Sequence, residues 1–160
     1  VATMVGIPYD NYYAWASVYP LDVWISLLDK SAAGFEQGVD LLRQAYKVAK
    51  GKYREKVEQQ LNRAEAVRIH LKSSAVQTRF FEARNRYKMS KDDKVREQWK
   101  RAMREACVEE QTLIRQMLPV VSKDSSIAFE SSNQYFYLTA DLVEAYVSIC
   151  YAMRQIDNEM

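Results

Sequence analysis

Glycine and proline are scarce, four and three residues in a chain of 160. Strand-and-turn architectures consume both, so the shortage argues against an all-β fold and for long helices. Cysteine is scarcer still. Cys107 and Cys150 are too few for the disulfide framework of a small secreted scaffold. Both fall on apolar sides of helical patterns, where a free thiol acts as a small hydrophobe; they can pair only if their helices are neighbours. There is one histidine, His70. A ferritin-like di-iron site needs two Glu-x-x-His pairs, and position 67 is Val, so not even one is present. The zinc-protease pattern H-E-x-x-H, a Gly-rich phosphate loop and the usual nucleophile motifs are missing too. The pattern therefore points to no metal and no cofactor.

Charge of one sign is also lacking. Twenty-three basic and 21 acidic residues leave a net charge of +2, which predicts neither a nucleic-acid nor an anionic-membrane partner. No apolar run approaches the ~18 residues of a membrane span. The opening VATMVGIPYDNYYAW has neither the basic leader nor the apolar core of a signal peptide. It starts at Val, as a processed protein or a piece of a longer one does.

What remains is helical pattern. Residues 1–20, with Pro8 and Pro20, have no helical period and carry Tyr9, Tyr12, Tyr13, Trp15 and Tyr19. They read as a non-helical strap whose rings pack on the bundle or on a neighbouring domain. Flat aromatic faces also suit sugars, so a carbohydrate platform at Trp15 stays open. A first helix is expected over about 21–50, with Val23, Trp24, Leu27, Leu28, Phe35, Val39, Leu42 and Tyr46 in one stripe. Gly34 and Gly38 interrupt it and predict close packing or a kink. Gly51 supplies a stop.

A second helix, about 52–88, follows Tyr53, Val57, Leu61, Ala64, Val67 or Arg68, Leu71, Ala75, Thr78 and Phe81, with Ser73-Ser74 as its weak point and Glu82–Arg86 as a supporting pair. Ser90 and Asp93 resemble a capping box opening a third helix, about 91–121, whose stripe is Val95, Trp99, Met103, Ala106, Leu113, Met117 and Val121. Glu97 and Arg101 should pair on its exposed side. The stripe passes through Glu109-Glu110, which places one carboxylate at the core edge.

A polar–aromatic connector, Lys123–Leu138, is too long for an ordinary helix–helix turn and reads as a lid over the bundle or as a docking surface for a neighbour. Thr139 is the expected N-cap of a last helix, about 140–156, whose wide apolar face (Leu142, Val143, Tyr146, Ile149, Cys150, Met153) predicts burial among the others. The fold class is all-α: one domain over residues 1–160, an antiparallel bundle of about four long helices with one long connector before the last.

Chemistry is thin. Adjacent Glu109 and Glu110 point about 100° apart on a helix, a poor arrangement for the two carboxylates that flank a glycosidic bond. Glu130 offers another carboxylate from the connector. His70 has neither Glu65 nor Glu82 on its own face within a turn and reads as a helix-surface or core-edge residue.

Asp124-Ser125, Ile127, Phe129-Glu130, Ser132-Asn133, Tyr135-Phe136-Tyr137 and Asp141-Leu142-Val143-Glu144 resemble a signature of the helical C-terminal region of large bacterial glycoside-hydrolase-like proteins. Ser126, Ala128 and Gln134 stand where that signature has a basic residue, a glycine and a histidine. The resemblance implies a catalytic barrel N-terminal to this chain, a non-catalytic accessory role for the chain itself, and export to the periplasm or exterior. It carries over no catalytic residue. Binding candidates are Trp15, Glu130, Asn133, Tyr135 and Tyr137, with a neighbouring catalytic domain as partner and a glycan as possible ligand. A protein-interaction module with no link to glycans is the alternative.

Overall fold

The computed structural model describes residues 11–127 and 137–159. Five helices follow in order: α1 (Tyr12–Ala16), α2 (Leu21–Val48), α3 (Lys52–Met89), α4 (Asp93–Lys123) and α5 (Thr139–Glu159). No strand occurs among the described residues. The chain is an all-α bundle, as its composition predicts.

α1 corrects the reading of residues 1–20 as non-helical: Asn11 caps it by accepting from the Ala14 amide at 3.1 Å. The aromatic strap does pack its rings. Tyr12 stacks on Phe81 of α3 with centroids 4.6 Å apart, and the Tyr13 hydroxyl donates to Glu82 at 3.0 Å.

α2 turns sharply into α3 at Gly51, whose φ of 53° is one that L side chains rarely adopt. α3 is unbroken through Ser73-Ser74 because its hydroxyls are occupied. Ser74 donates to the His70 carbonyl at 3.0 Å and Ser73 to Glu110 at 2.5 Å. The expected Glu82–Arg86 pair forms at 2.7 Å. α4 begins two residues later than the Ser90 capping box predicts. Asp92 is the N-cap, accepting from the amides of Lys94 and Val95 at 2.8 and 3.1 Å, because its carboxylate outcompetes a serine two residues back. Arg101 bonds the Glu97 carbonyl at 3.4 Å rather than its carboxylate. Pro119 lies inside α4, which continues to Lys123. At α5 the expected N-cap Thr139 is the first helical residue instead. Leu138 precedes it, its carbonyl accepting from Leu142 at 3.0 Å while its own amide donates to Asp141 at 3.1 Å.

Consecutive long helices pack antiparallel. Glu36, Arg43 and Asp29 of α2 meet Arg68, Glu65 and Arg79 of α3. Asn62, Arg68 and Ser73 of α3 meet Val120, Gln116 and Glu110 of α4. Arg104, Gln111 and Arg115 of α4 meet Asp157, Cys150 and Tyr146 of α5. α2 and α5 form no packed pair with each other, so they flank a central α3–α4 pair.

The core lies between α3, α4 and α5. Ala66, Ile69, Val76, Leu113, Ile114, Met117 and Leu142 form one part, and Ala83, Tyr87, Met103, Cys107 and Ile156 the other. Burying each large side chain contributes about 1.5–3 kcal/mol. The α4 stripe is as expected except for Val95, which is exposed. α3 is buried on two sides, so its α4-facing residues Ala66, Ile69, Val76, Ala83 and Tyr87 lie outside the stripe read from sequence. On α2, the expected stripe residues Val23, Leu27 and Phe35 are exposed, as are Val67 of α3 and Tyr53 at its start. A Cβ at Gly34 or Gly38 would meet nothing within 4 Å, so neither marks close packing among the described residues. α5 is not enclosed as its wide apolar face predicts: Val143, Val147, Cys150 and Tyr151 are exposed, since its packed neighbour is α4. Cys107 is buried, and both cysteines are free.

Candidate functional site

α3 carries His70, Ser73 and Gln77 at intervals of three and four, which places them along one side of the helix. α4 brings Glu110 to that side. The Ser73 hydroxyl donates to Glu110 Oε1 at 2.5 Å, and the Gln77 amide donates to Ser73 Oγ at 3.0 Å and to the same Oε1 at 3.1 Å. Glu110 Oε2 is buried with no hydrogen-bond partner among the described residues. Burial raises the Glu110 pKa, the bonds from Ser73 and Gln77 work against that rise, and the charge of Glu109 adds to it. Glu110 is thus the core-edge carboxylate that the α4 stripe predicts.

Tyr137, just before α5, joins the cluster from the other end of the chain. Its hydroxyl lies 2.5 Å from His70 Nδ1, with the rings edge to face at a centroid distance of 5.7 Å. Burial lifts the Tyr137 pKa to about 12, with the Glu110 charge adding to it. Much of His70 is open to solvent, yet its ring is hemmed in enough that lost hydration lowers its pKa. With a protonated tyrosine beside a neutral imidazole, the tautomer sets the direction: a ring proton on Nε2 makes Tyr137 the donor to Nδ1, and a ring proton on Nδ1 makes it the acceptor.

Beside this cluster a cavity of about 310 Å³ opens between α3, α4 and α5. Its walls are mostly apolar, with Val76, Phe80, Ile149 and Ala152 among them, and Gln77, Glu110 and Ser148 supply polar groups.

Glu109 belongs to another environment. It takes Arg79 at 2.9 Å and Lys72 at 3.2 Å, and both cations also reach Asp29 of α2, at 2.7 and 3.4 Å. Burial alone would raise the Asp29 pKa, but the bond and charge of Arg79, with Lys72, bring it below the usual value. The two carboxylates therefore do not face one substrate position, as the flanking pair of glycoside hydrolysis must. Among the described residues no group of three or more His, Cys, Asp or Glu is placed to hold a metal, and no helix is long and apolar enough to cross a membrane.

Of the sequence-derived candidates, Tyr137 sits in the cluster and Trp15 lies half-buried in α1. They are not brought together. Through Tyr12, α1 docks at Phe81, roughly 16 Å along α3 from His70 at 1.5 Å per residue. Glu130, Asn133 and Tyr135 lie outside the described residues. Sequence reasoning missed Ser73 and Gln77. Their signal is faint: polar residues spaced by four on the side of α3 that bears His70.

No protein-family model, no curated protein and no solved structure matches this chain.

Proposed function

We propose that the chain is a non-catalytic helical accessory module of an exported bacterial glycan-processing protein, docked against a neighbouring catalytic domain through the outward face of α5. The observation that carries the docking is an apolar ridge. Val143, Val147 and Tyr151 recur every four residues and are 51%, 60% and 64% exposed. An apolar strip on an outer helix is typical of a surface that another body covers. The ridge runs directly on from the connector and from Asp141–Glu144, the residues that carry the resemblance to glycoside-hydrolase-like proteins. That continuity favours a domain of the same polypeptide as the occupant.

Cys150 is a built-in reporter, exposed beside the ridge, whereas Cys107 is buried with its pKa pushed up by that burial to about 11. Maleimide labelling of the isolated chain should modify Cys150 rapidly and Cys107 slowly. In the polypeptide that includes the proposed neighbour, Cys150 should become protected. Equal labelling in both forms would overturn the docking. Protection by a separate protein instead would move the reading to an interaction module without a glycan link. The isolated chain should turn over no chromogenic glycoside; turnover abolished by Glu130→Gln would make it an enzyme.

A further inference from the structure

The cavity between α3, α4 and α5 is separate from the α5 ridge, and its chemistry is different. We propose that it binds a small organic amine, with the apolar body held by the cavity walls and the ammonium bonded to the Glu110 carboxylate. Three observations carry this. At about 310 Å³ the space is at the lower end of ligand-pocket sizes, which suits a fragment with a single ring or a short alkyl chain. Val76, Phe80, Ile149 and Ala152 supply apolar and aromatic contact. Glu110 lines the space, and both of its donors converge on Oε1 while Oε2 has none among the described residues.

A buried acceptor without a partner is costly, and an occupant that donates to it removes that cost. The terminal torsion of glutamate is broad, so little movement is needed to turn the second oxygen toward an occupant. No cation is bonded to Glu110 among the described residues: Arg79 and Lys72 are committed to Glu109 and Asp29. An ammonium therefore supplies both the charge and the donors that the site lacks. An alcohol supplies a donor alone, and a carboxylate supplies repulsion.

Amide NMR titrations of the chain with benzylamine, benzyl alcohol and benzoate test the ranking. Benzylamine should shift the Gln77, Ser148 and Ala152 resonances saturably and bind about tenfold tighter than benzyl alcohol, the scale of one hydrogen bond to a charged group. Benzoate should bind weakest. Glu110→Gln should bring benzylamine down to the level of the alcohol and leave the alcohol unchanged. Ala152→Phe, which fills the space, should abolish both; if that variant loses its helical circular dichroism, the Glu110→Gln comparison still decides. An amine preference that survives Glu110→Gln would overturn the assignment. So would equal binding of benzylamine and benzoate, or the absence of saturable binding by any of the three.

Discussion

On the α2 side of α4, Glu109 shares Arg79 and Lys72 with Asp29, a network of two acids and two bases spanning three helices. On the α5 side, one residue further on, Glu110 meets only neutral donors among the described residues and keeps one buried oxygen without a partner there. A step of about 100° around the helix separates the two conditions. The difference follows from what each flanking helix brings. α2 turns Asp29, Glu36 and Arg43 toward α3, with Ala32 and Val39 as its buried residues, while α5 contributes Leu142, Ile149 and Ile156 to the cores or their edges. At the level of Glu109 and Glu110 the α2 flank is held by charge pairing and the α5 flank by apolar contact, whereas at the far end of α5 Asp157 does find a cation in Arg104.

The sharpest way to break the ionic flank is Arg79→Met. The Arg79 side chain is 31% exposed and its partners 38%, so the network lies between a surface bridge and a buried one. Its removal leaves two carboxylates facing Lys72 alone and should cost about 2 kcal/mol in urea denaturation. Glu109→Gln leaves Asp29 on Arg79 and should cost less, about 1 kcal/mol. A change of opposite sign is expected on the outward side of α2. Gly38→Ala meets no atom within 4 Å and should stabilise the isolated chain by about 0.4–1 kcal/mol, read as a higher melting temperature. A loss of stability there would mean that α2 is covered.

The asymmetry of the two flanks was only half legible in the sequence. The helices themselves announce themselves through period, through Gly51 and through the scarcity of breakers, and the α4 stripe reads well because one side of that helix is large and apolar. α3 reads badly because it is buried on two sides, and Ala66, Ser73 and Ala83 line those contacts with small or polar groups that its hydrophobic stripe does not include. α5 misleads in the opposite way. A wide apolar face implies enclosure, yet the helix packs at an edge and leaves Val143, Val147 and Tyr151 outward. The Glu110 environment was half visible from its place in the α4 stripe. The link between Tyr137 and His70 spans 67 residues and depends on how the start of α5 meets α3, which spacing along one helix does not encode.

Glu110→Gln sharpens the contrast because its sign depends on pH. Burial raises the Glu110 pKa above its ordinary 4.5 in the folded chain. Its contribution to stability is therefore fully present below about that ordinary value and is lost as pH rises through the folded pKa. At neutral pH the substitution removes a desolvated charge and should stabilise by ~0.5 kcal/mol, part of the gain being offset by the new amide's unbonded hydrogens. In acid the wild type is protonated and the advantage should vanish. Asp29 runs the other way, its pKa held below the usual 3.8, so the α2 flank keeps its contribution above that value and loses it as pH falls through the folded pKa. Urea denaturation of both chains across pH 3–7 reads the two slopes together. A Glu110→Gln advantage that grew in acid would show that the carboxylate is paired after all.

The smallest effect belongs to the rim of the apolar flank. Tyr137→Phe removes the hydroxyl that lies 2.5 Å from His70 Nδ1 and keeps the edge-to-face ring contact. With Tyr137 as donor the bond favours the neutral imidazole, so its loss should move the His70 pKa upward from its burial-lowered value, while the hemmed-in ring holds it below the ordinary 6.5. Stability should fall by only ~0.5 kcal/mol, because His70 is open enough for water to replace the hydroxyl. The wild-type imidazole should carry its proton on Nε2, visible in the ¹⁵N shifts of the ring, and the variant should show a mixture of tautomers. A wild-type ring protonated on Nδ1 at neutral pH would reverse the direction of the bond and make Tyr137 the acceptor.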